Sequence, residues 1–520
     1  MKSSSWFLGI DLGTGSCKSV VVDEQAKILG FGVGEYSGAE AHDRWREQDP
    51  LDLVKATIAS VRQAVGRSGA RPDHCGGMSI GGALHSVMAV DGHGCPLTGV
   101  ITWADGRALE QARAVAGKPD GKEIYRETGC PAHGMYPLYK VMWLRENRPK
   151  VFQHARRYVS AKEYVGFFLT GTWQVDYSLA AGSGFLNTDT LQWSERSLDL
   201  AGIRKDQLSP LAAPSALLGK LPPDVASQLG IPVNTPVVMG SSDAVNSSIG
   251  AGAVAPTQAT LMIGTSGALR VVSPRPVLDL RARSWCYAID EGHWLVGGAI
   301  NNGGVALSWL RDFLNRAHPG QSLTFEDVLA LADRAPAGSG GLVCLPFFAG
   351  ERSPNWNLNA RGAFIGLSLE HEPRHLARAL LEGIGFRFKS LLEVLLEIGL
   401  DVKQIVASGG FTQSELWLQV MADVLGRELS VPAWGETSAL AAAFWAALAA
   451  GCAGSMEEIR KWVNHGDACR PVFENTAVYE QVYPLYAKLY EAAAGSFDEI
   501  ARLQNDLAAA EDERGKSDGT

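Results

Sequence analysis

A glycine-rich turn near the N-terminus carries the first residues whose types and spacing could do chemistry. It follows an apolar run at 7–10 and consists of Gly13, Thr14, Gly15 and Ser16. Consecutive backbone N–H groups in such a turn form a concave surface that binds anions such as phosphate. The hydroxyls of Thr14 and Ser16 can add hydrogen bonds. Asp11 would repel a phosphate unless Mg²⁺ lay between them, so the pattern indicates a phosphate and magnesium site. The alternative is that Asp11 only caps its own turn.

A second turn of the same kind begins 251 residues later. Residues 13–21 have the sequence G-T-G-S-C-K-S-V-V and residues 264–272 have the sequence G-T-S-G-A-L-R-V-V. Each stretch lies between two apolar runs, which predicts a strand, a tight turn and a returning strand. The separation is about half of the chain and favours two related α/β domains that offer one turn each to a shared cleft. The alternative is two unrelated β-turns, since Gly-Thr and Gly-Ser pairs are common there.

The elements that must position these turns are predicted to be strands and helices in alternation. A β-meander is predicted from short strands at 7–10, 19–23 and 28–33. A helix should follow, because Asp49 is a good N-cap and Pro50 suits the first helical position. The longest helix is predicted to begin near Arg374 and to stop at Gly399. Such alternation is typical of α/β proteins.

Composition excludes several classes of protein. The 520 residues are 46% hydrophobic and 20% charged, as in a globular protein with a sizeable core. The net charge of −9 argues against nucleic acid as the main partner. The eight cysteines lie far apart, without a Cys-x-x-Cys pair, as expected of reduced thiols in the cytoplasm. No signal peptide is evident, and the most apolar stretch, 439–450, is shorter than the ~20 residues that span a bilayer.

Four segments together resemble the FGGY family of carbohydrate kinases. Residues 9–16, G-I-D-L-G-T-G-S, resemble the opening phosphate loop of that family. Residues 135–147 fit its first signature, and residues 362–382 fit the second except at Leu380. Ser-Gly-Gly-Phe at 408–411 resembles the family's adenosine loop. The resemblance covers about residues 7–455.

The resemblance implies an α/β fold with two actin-like ATPase (ribonuclease H-like) domains flanking a central cleft that holds ATP, Mg²⁺ and a sugar. The N-terminal domain is expected over 1–250, with the sugar site, the first phosphate loop and the general base. The C-terminal domain is expected over 251–505 and should bind the nucleotide. Residues 506–520 are expected to be a disordered tail, since they are charged and alanine-rich.

The family's functional positions can be carried over where the motifs match. Asp243, in the sequence G-S-S-D-A, matches the general base, and Asp11 matches the aspartate associated with Mg²⁺, so both are expected at the metal and in catalysis. The implied nucleotide contacts are Gly13, Thr14, Gly15, Ser16, Lys18, Gly264, Thr265, Ser266, Gly304, Gly409, Gly410 and Ser414. The implied sugar contacts are Leu84, His85, Trp103, Asp105 and Asp243.

Each of these side chains also has a purely structural interpretation. Asp243 could cap a turn, and Asp105 could cap the helix predicted from residue 106 onward. His85 lies between apolar segments, where an isolated histidine is usually a core residue. Trp103 could simply pack before a helix. Lys18 could neutralise phosphate or be a solvated strand residue.

The segments expected at the sugar favour one substrate over another. A-L-H-S-V at 83–87 and T-W-A-D at 102–105 look more like the gluconate kinases of the family than the xylulose kinases. Leu84 departs from the methionine common to both groups. Gluconate would need a cation for its carboxylate, for which Lys162 and Arg107 are candidates, although each could equally be a surface charge. We therefore expect a gluconokinase, with a xylulokinase as the alternative.

Proteins of another class share the actin-like fold. A chaperone would need a peptide-binding β-domain after the ATPase unit, but only about 65 residues follow Gly454. A filament protein would need no sugar segment around His85. A non-catalytic ATP and sugar sensor stays open, although the presence of Asp243 argues for catalysis. The expected partner is a small sugar or sugar acid, in the cytoplasm, without nucleic acid or membrane. A homodimer is one alternative that the sequence leaves open.

Overall fold

The computed structural model describes residues 5–37, 40–42, 45–317, 320 and 322–517. These residues form two compact units. Unit 1 comprises those within 1–256, 271–296 and 432–464, and unit 2 comprises those within 257–270, 297–431 and 465–520.

The strands of the described residues are β1 Trp6–Leu12, β2 Ser16–Asp23, β3 Ile28–Glu35, β4 Glu40–His42, β5 Trp45–Gln48, β6 Cys75–Gly82, β7 Met88–Val90, β8 Val100–Ile101, β9 Arg157–Val159, β10 Val175–Asp176, β11 Leu186–Asn187, β12 Gln192–Trp193, β13 Leu211–Ala212, β14 Leu217–Lys220, β15 Pro236–Val238, β16 Gln258–Ile263, β17 Gly267–Ser273, β18 Trp285–Ala288, β19 Trp294–Ile300, β20 Val343–Leu345, β21 Ala363–Ile365, β22 Gln404–Ser408 and β23 Leu429–Ser430.

The helices are α1 Pro50–Ser68, α2 Leu109–Val115, α3 Pro119–Thr128, α4 Pro137–Asn147, α5 Pro149–His154, α6 Ala161–Thr170, α7 Tyr177–Ala181, α8 Glu195–Ala201, α9 Pro223–Leu229, α10 Asp243–Ile249, α11 Gly304–Ala317, α12 Phe325–Asp333, α13 Pro373–Glu397, α14 Glu415–Leu425, α15 Thr437–Ala449, α16 Phe473–Ala494 and α17 Phe497–Ser517. Among the described residues no helix is both long enough and apolar enough to cross a membrane.

A six-stranded sheet in the order β14-β15-β6-β1-β2-β3 forms the centre of unit 1. The predicted meander is confirmed, because β1 pairs antiparallel with β2 and β2 pairs antiparallel with β3. Strand β6 runs parallel to β1 on its other side. The helix predicted after Asp49 is α1, and the Asp49 side chain accepts a hydrogen bond from the Leu51 N–H as its N-cap.

Helix α15 covers one face of this sheet although it lies late in the chain. Most of the apolar stretch 439–450 lies in this helix, and its residues 439–447 are buried. A Cβ atom at Gly9 of β1 would lie 2.1 Å from the carbonyl oxygen of Ala439, so only glycine permits this contact. The segment 432–464 therefore belongs to the compact unit of the N-terminal residues, which a linear division at residue 250 does not anticipate.

Unit 2 is built on strands in the order β17-β16-β22-β23, in which β16, β22 and β23 are parallel. The long helix predicted from about Arg374 is α13, and Gly399, with φ of +91°, lies just beyond its end. Helix α17 ends at Ser517 and so includes the first part of the tail expected over 506–520. Leucine and alanine at 507–510 are strong helix formers and favour this extension.

Candidate active site

Asp11 lies in β1 directly opposite Lys18 of β2. It does not close the adjacent turn, which is held by a backbone bond of 3.1 Å from the Gly13 N–H to the Ser16 carbonyl. Its Oδ1 atom is buried and has no hydrogen-bond partner within the described part of the chain. Burial, together with the negative charge of Asp243, raises the pKa of Asp11 to about 7. Asp11 is therefore not the cap of its turn, and its Oδ1 atom is available to accept from or coordinate a ligand.

Asp243 follows β15 and is the first residue of α10, whose N-cap is Ser242. Its Oδ1 atom accepts hydrogen bonds from the backbone N–H of Leu84 at 3.2 Å and from its neighbour Ala244 at 2.7 Å. The side chain of Leu84 itself is buried. The carboxylate expected to act as a base is thus hydrogen-bonded to the segment expected to bind the sugar.

The turn of residues 13–16 is exposed at its tip, where a Cβ atom at Gly15 would meet no other atom within 4 Å. The Thr14 hydroxyl accepts a hydrogen bond of 3.1 Å from the Trp103 indole N–H. The structure therefore brings an expected phosphate contact and an expected sugar contact together. The ammonium of Lys18 is 2.7 Å from the carboxylate of Glu436, and both side chains are about one-third exposed. Lys18 is accordingly one half of a surface ion pair.

His85 is held in a buried aromatic setting. Its backbone φ is +65°, and its Nδ1–H donates to the Gly182 carbonyl at 2.7 Å. The ring makes edge contacts with Tyr136 and Tyr287, with centroid separations of 5.0 and 5.8 Å. A left-handed backbone is uncommon at residues other than glycine, and the cases that do occur are concentrated at functional positions.

Lys140 connects the two segments expected at the sugar. It is completely buried on α4, and its Nζ donates to the carbonyl oxygens of His85 and Thr102, each at 2.7 Å. Burial lowers the pKa of Lys140 to about 7. The first family signature contains this lysine, but its contacts are visible only in the folded chain.

Asp105 lies in a buried ion pair. Its two oxygens accept from the Arg107 guanidinium at 2.8 and 2.7 Å, and Oδ2 also accepts from the Arg46 backbone N–H. Arg107 contacts Glu47 at 2.7 Å as well, and its guanidinium lies 3.9 Å from the ring centre of Trp45. The helix that Asp105 might have capped begins only at residue 109.

Neither cation considered for a substrate carboxylate is a surface charge. The side chains of Arg107 and Lys162 are each 3% exposed. Arg107 is neutralised by Asp105 and Glu47, and Lys162 by Asp176 at 2.6 Å. The charge of each cation is thus already compensated, and both lie almost entirely out of solvent, which disfavours a further anion at either.

Unit 2 contains a cavity of about 610 Å³ that includes most of the nucleotide contacts expected there. The expected residues that line it are Gly264, Thr265, Gly304, Gly410 and Ser414. Ser266 supports the turn by accepting from the Gly264 N–H at 2.9 Å, and Gly304 donates to the Gly264 carbonyl at 2.8 Å. Gly409 lies between β22 and Gly410.

Sequence reasoning missed the apolar wall of this cavity. It is formed by Val305, Leu307, Phe325, Leu329, Phe411 and Trp417. Phe325 is the first residue of α12 and remains 37% exposed. No sequence signal pointed to this wall, since a single exposed phenylalanine at the start of a helix is ordinary on a protein surface. Such a wall suits the flat ring of a nucleobase.

The carboxylates of Asp11 and Asp243 have the chemistry that a divalent cation requires. Among the residues that the structure describes, no three acidic, histidine or cysteine side chains cluster closely enough to form an all-protein metal site. Mg²⁺ is usually held by one or two carboxylates with waters and substrate phosphates. The orphan oxygen of Asp11 and the influence of Asp243 on its pKa agree with that arrangement.

Comparisons with known proteins extend over nearly the whole chain. The N-terminal domain of the FGGY family of carbohydrate kinases matches residues 6–250, and the C-terminal domain matches residues 259–450. A gluconokinase of Bacillus licheniformis is 35% identical over 97% of this chain and 99% of its own. A xylulose kinase of Bacillus subtilis is 28% identical over 93% and 96%.

Solved structures agree with these sequence matches. The crystal structure of a gluconate kinase from Lactobacillus acidophilus superposes with a TM-score of 0.91 at 32% identity, covering 96% of this chain and 100% of that one. A ligand-bound xylulose kinase from the same organism gives 0.91 and 32%, covering 95% and 100%. The expected two-domain α/β fold is confirmed.

Proposed function

We propose D-gluconate as the substrate of this chain, which belongs to the FGGY family of carbohydrate kinases and is therefore an ATP-dependent sugar kinase. The observation that carries the proposal is the higher identity to gluconokinases, 35% against 28% for a xylulose kinase, over almost the full length. The segments at 83–87 and 102–105, which look more like those of gluconate kinases, add support. Lys140 holds these two segments together through the carbonyls of His85 and Thr102. D-Xylulose is the alternative substrate.

Asp243 is the general base of the proposed reaction. A sugar hydroxyl is too weakly acidic to ionise beforehand, so its proton passes to the carboxylate as its oxygen bonds to the γ-phosphorus. The bond from that phosphorus to the β,γ-bridging oxygen breaks, and ADP leaves. The hydrogen bonds from Leu84 and Ala244 hold the carboxylate in one orientation while it accepts the proton.

The sugar contacts are assigned to unit 1. The backbone of Leu84 contacts Asp243, and Trp103 contacts Thr14 of the phosphate turn, through the hydrogen bonds described above. His85 follows Leu84 directly in the chain. Asp105 supports this region by fixing Arg107 and the Arg46 backbone. Because Arg107 and Lys162 are already neutralised, we assign the gluconate carboxylate to hydrogen-bond donors other than these two cations.

Nucleotide contacts are assigned to each unit by itself, to the turn of residues 13–16 in unit 1 and to the second glycine-rich turn and the cavity in unit 2. The apolar wall with Phe325 and Trp417 would take the nucleobase, and the Gly264–Ser266 turn would bind phosphate oxygens through backbone N–H groups. Asp11 and Asp243 would hold Mg²⁺. When bound, Mg²⁺ supplies positive charge that offsets the charge of the phosphates.

A coupled assay of ADP release tests the substrate. Gluconate, xylulose, glycerol, ribulose and fucose-like ketoses are offered in turn, and the phosphorylated product is identified by ³¹P NMR. We expect the highest kcat/KM with gluconate. A preference for xylulose would establish the alternative. Calorimetric binding of both ATP and a sugar without any turnover would instead identify a sensor.

A further inference from the structure

A continuous set of buried hydrogen bonds connects Lys162 on α6 with the backbone that carries Asp243. The Lys162 ammonium donates to Asp176 Oδ2 at 2.6 Å. The other oxygen of Asp176 accepts from the Ser178 hydroxyl. That hydroxyl in turn accepts from the Ser242 backbone N–H at 2.7 Å. Ser242 is the N-cap residue immediately before Asp243.

All the side chains in this set are removed from solvent. Lys162 and Asp176 have side-chain exposures of 3% and 0%, and Ser178 is completely buried. Asp176 Oδ1 also accepts the N–H groups of Ser178 and Leu179 at the start of α7. Both oxygens of Asp176 are thereby engaged, and the orientation of the Ser178 hydroxyl is fixed by the charge of its acceptor.

The carbon stem of Lys162 also sets the position of the strand beside Asp243. A Cβ atom at Gly82 would lie 2.7 Å from Lys162 Cβ, so the strand end and the lysine are in close contact. Gly82 forms a parallel β-bridge with Ser242. Two residues later, the Leu84 N–H donates to the carboxylate of Asp243. Lys162 is therefore connected to Asp243 in two ways, through the hydrogen bonds that lead to Ser242 and through its contact with Gly82.

We propose that Lys162, Asp176 and Ser178 are positioning residues for Asp243, and that Lys162 does not bind a carboxylate of the substrate. The inference rests on the proposed role of Asp243 as general base. Proton transfer requires a carboxylate that is held in place within a fraction of an ångström. The buried ion pair fixes the backbone that carries the Asp243 carboxylate.

The two roles for Lys162 predict different kinetics. A positioning residue contributes to the transition state for any sugar, so Lys162→Met should lower kcat roughly tenfold to a hundredfold for gluconate and for a neutral sugar alike. KM for each sugar should change little. A ligand for the substrate carboxylate would instead show as a raised KM for gluconate with unchanged kinetics for the neutral sugar, which would overturn the proposal.

Ser178→Ala provides a second variant that changes no charge, in case Lys162→Met does not fold. The substitution removes the hydroxyl that accepts from the Ser242 N–H and donates to Asp176. Ser178 and Ser242 are 64 residues apart in the chain. We expect the same fall in kcat, smaller in size, without a change in KM. Normal kcat in this variant, with Tm showing a folded protein, would contradict the proposal.

Arg283→Met is the matched control for the loss of a buried pair. Arg283 forms an ion pair of 2.8 Å with the largely buried Asp279 elsewhere in unit 1. Both Arg283→Met and Lys162→Met should lower Tm, since each leaves an aspartate without its cation. Only Lys162→Met should lower kcat. An equal fall of kcat in the control would show that Lys162→Met acts only by destabilising the protein, and would overturn the inference.

A double-mutant cycle separates this inference from the role of Asp243. If Lys162 acts through Asp243, adding Lys162→Met to Asp243→Asn should lower the residual rate no further. A further loss as large as that in the wild-type background would show that Lys162 acts independently and would refute the positioning role. Near-normal turnover of Asp243→Asn alone would refute the general base, and the proposed mechanism with it.

Discussion

The carboxylate of Asp243 accepts a hydrogen bond of 3.2 Å from the backbone N–H of Leu84, 159 residues earlier in the chain. Asp243 begins α10, and Leu84 adjoins the histidine expected at the sugar. Since Asp243 and the segment expected at the sugar are joined by this hydrogen bond, a sugar bound at His85 would be oriented relative to the carboxylate proposed as its base. The consequences can be measured residue by residue.

Asp243→Asn tests the base itself. Asparagine keeps the volume and can still accept from the Leu84 N–H, but it cannot take the proton. We expect kcat to fall by about 10²–10⁴-fold, while calorimetry shows unchanged ATP binding. Asp224→Asn, an exposed aspartate in the first turn of α9, is the control and should behave as the wild type. A rate close to that of the wild type would contradict the assignment of Asp243.

His85→Asn tests the sugar contact while preserving the backbone. Asparagine tolerates the positive φ of this position better than alanine does. Its amide can also donate to the Gly182 carbonyl, as His85 Nδ1 does. We expect KM for the sugar to rise while KM for ATP stays constant. Equal changes in both constants would show that His85 serves only the packing against Tyr136 and Tyr287.

Magnesium affinity should depend on pH through Asp11. The pKa of this carboxyl is raised to about 7, so below pH 7 a proton competes with the metal. The apparent affinity for Mg²⁺ should therefore fall by roughly tenfold for each pH unit below 7 and level off above about pH 8. Titration calorimetry at pH 6, 7 and 8 measures this. Asp11→Asn should abolish the pH dependence of the Mg²⁺ affinity. An affinity of the wild type that stays constant between pH 6 and 8 would contradict the role of Asp11.

Phe325→Ala tests the apolar wall of the cavity in unit 2. Loss of one aromatic contact is worth about 0.5–1.5 kcal/mol, which corresponds to a rise in the KM for ATP of roughly two- to tenfold. KM for the sugar should not change. Phe473→Ala is a matched control, because Phe473 is also the first residue of a helix and is 81% exposed outside this cavity. Equal effects of the two substitutions would exclude Phe325 from the nucleotide site.

Local signals were sufficient to predict the elements that carry the site. Asp49 and Pro50 marked the start of α1, and Gly399 marked the end of α13, because capping depends on residues next to one another in the chain. The meander around Asp11 was equally local. The residues of the glycine-rich turn in unit 2 were predicted from their similarity to the first turn, and five of the seven nucleotide contacts expected in that unit line one cavity.

The partners of the buried charges could not be predicted. Lys162 pairs with Asp176, and Lys140 pairs with two carbonyls, of His85 and Thr102. Lys140 contacts carbonyls 55 and 38 residues away in the chain, and Lys162 contacts an aspartate 14 residues away, and no periodicity of the sequence specifies such partners. For the same reason a buried, neutralised lysine and an exposed one looked alike in the sequence, and the position of α15 against β1 was not foreseen.

The contact between Gly9 and α15 constrains how the molecule is made. Strand β1 is translated well before the helix that completes one face of its sheet, which begins at Thr437 and ends at Ala449. Until that helix has been translated, this face of the nascent sheet stays uncovered. During this interval the growing chain presents an apolar surface on which a cellular chaperone can act.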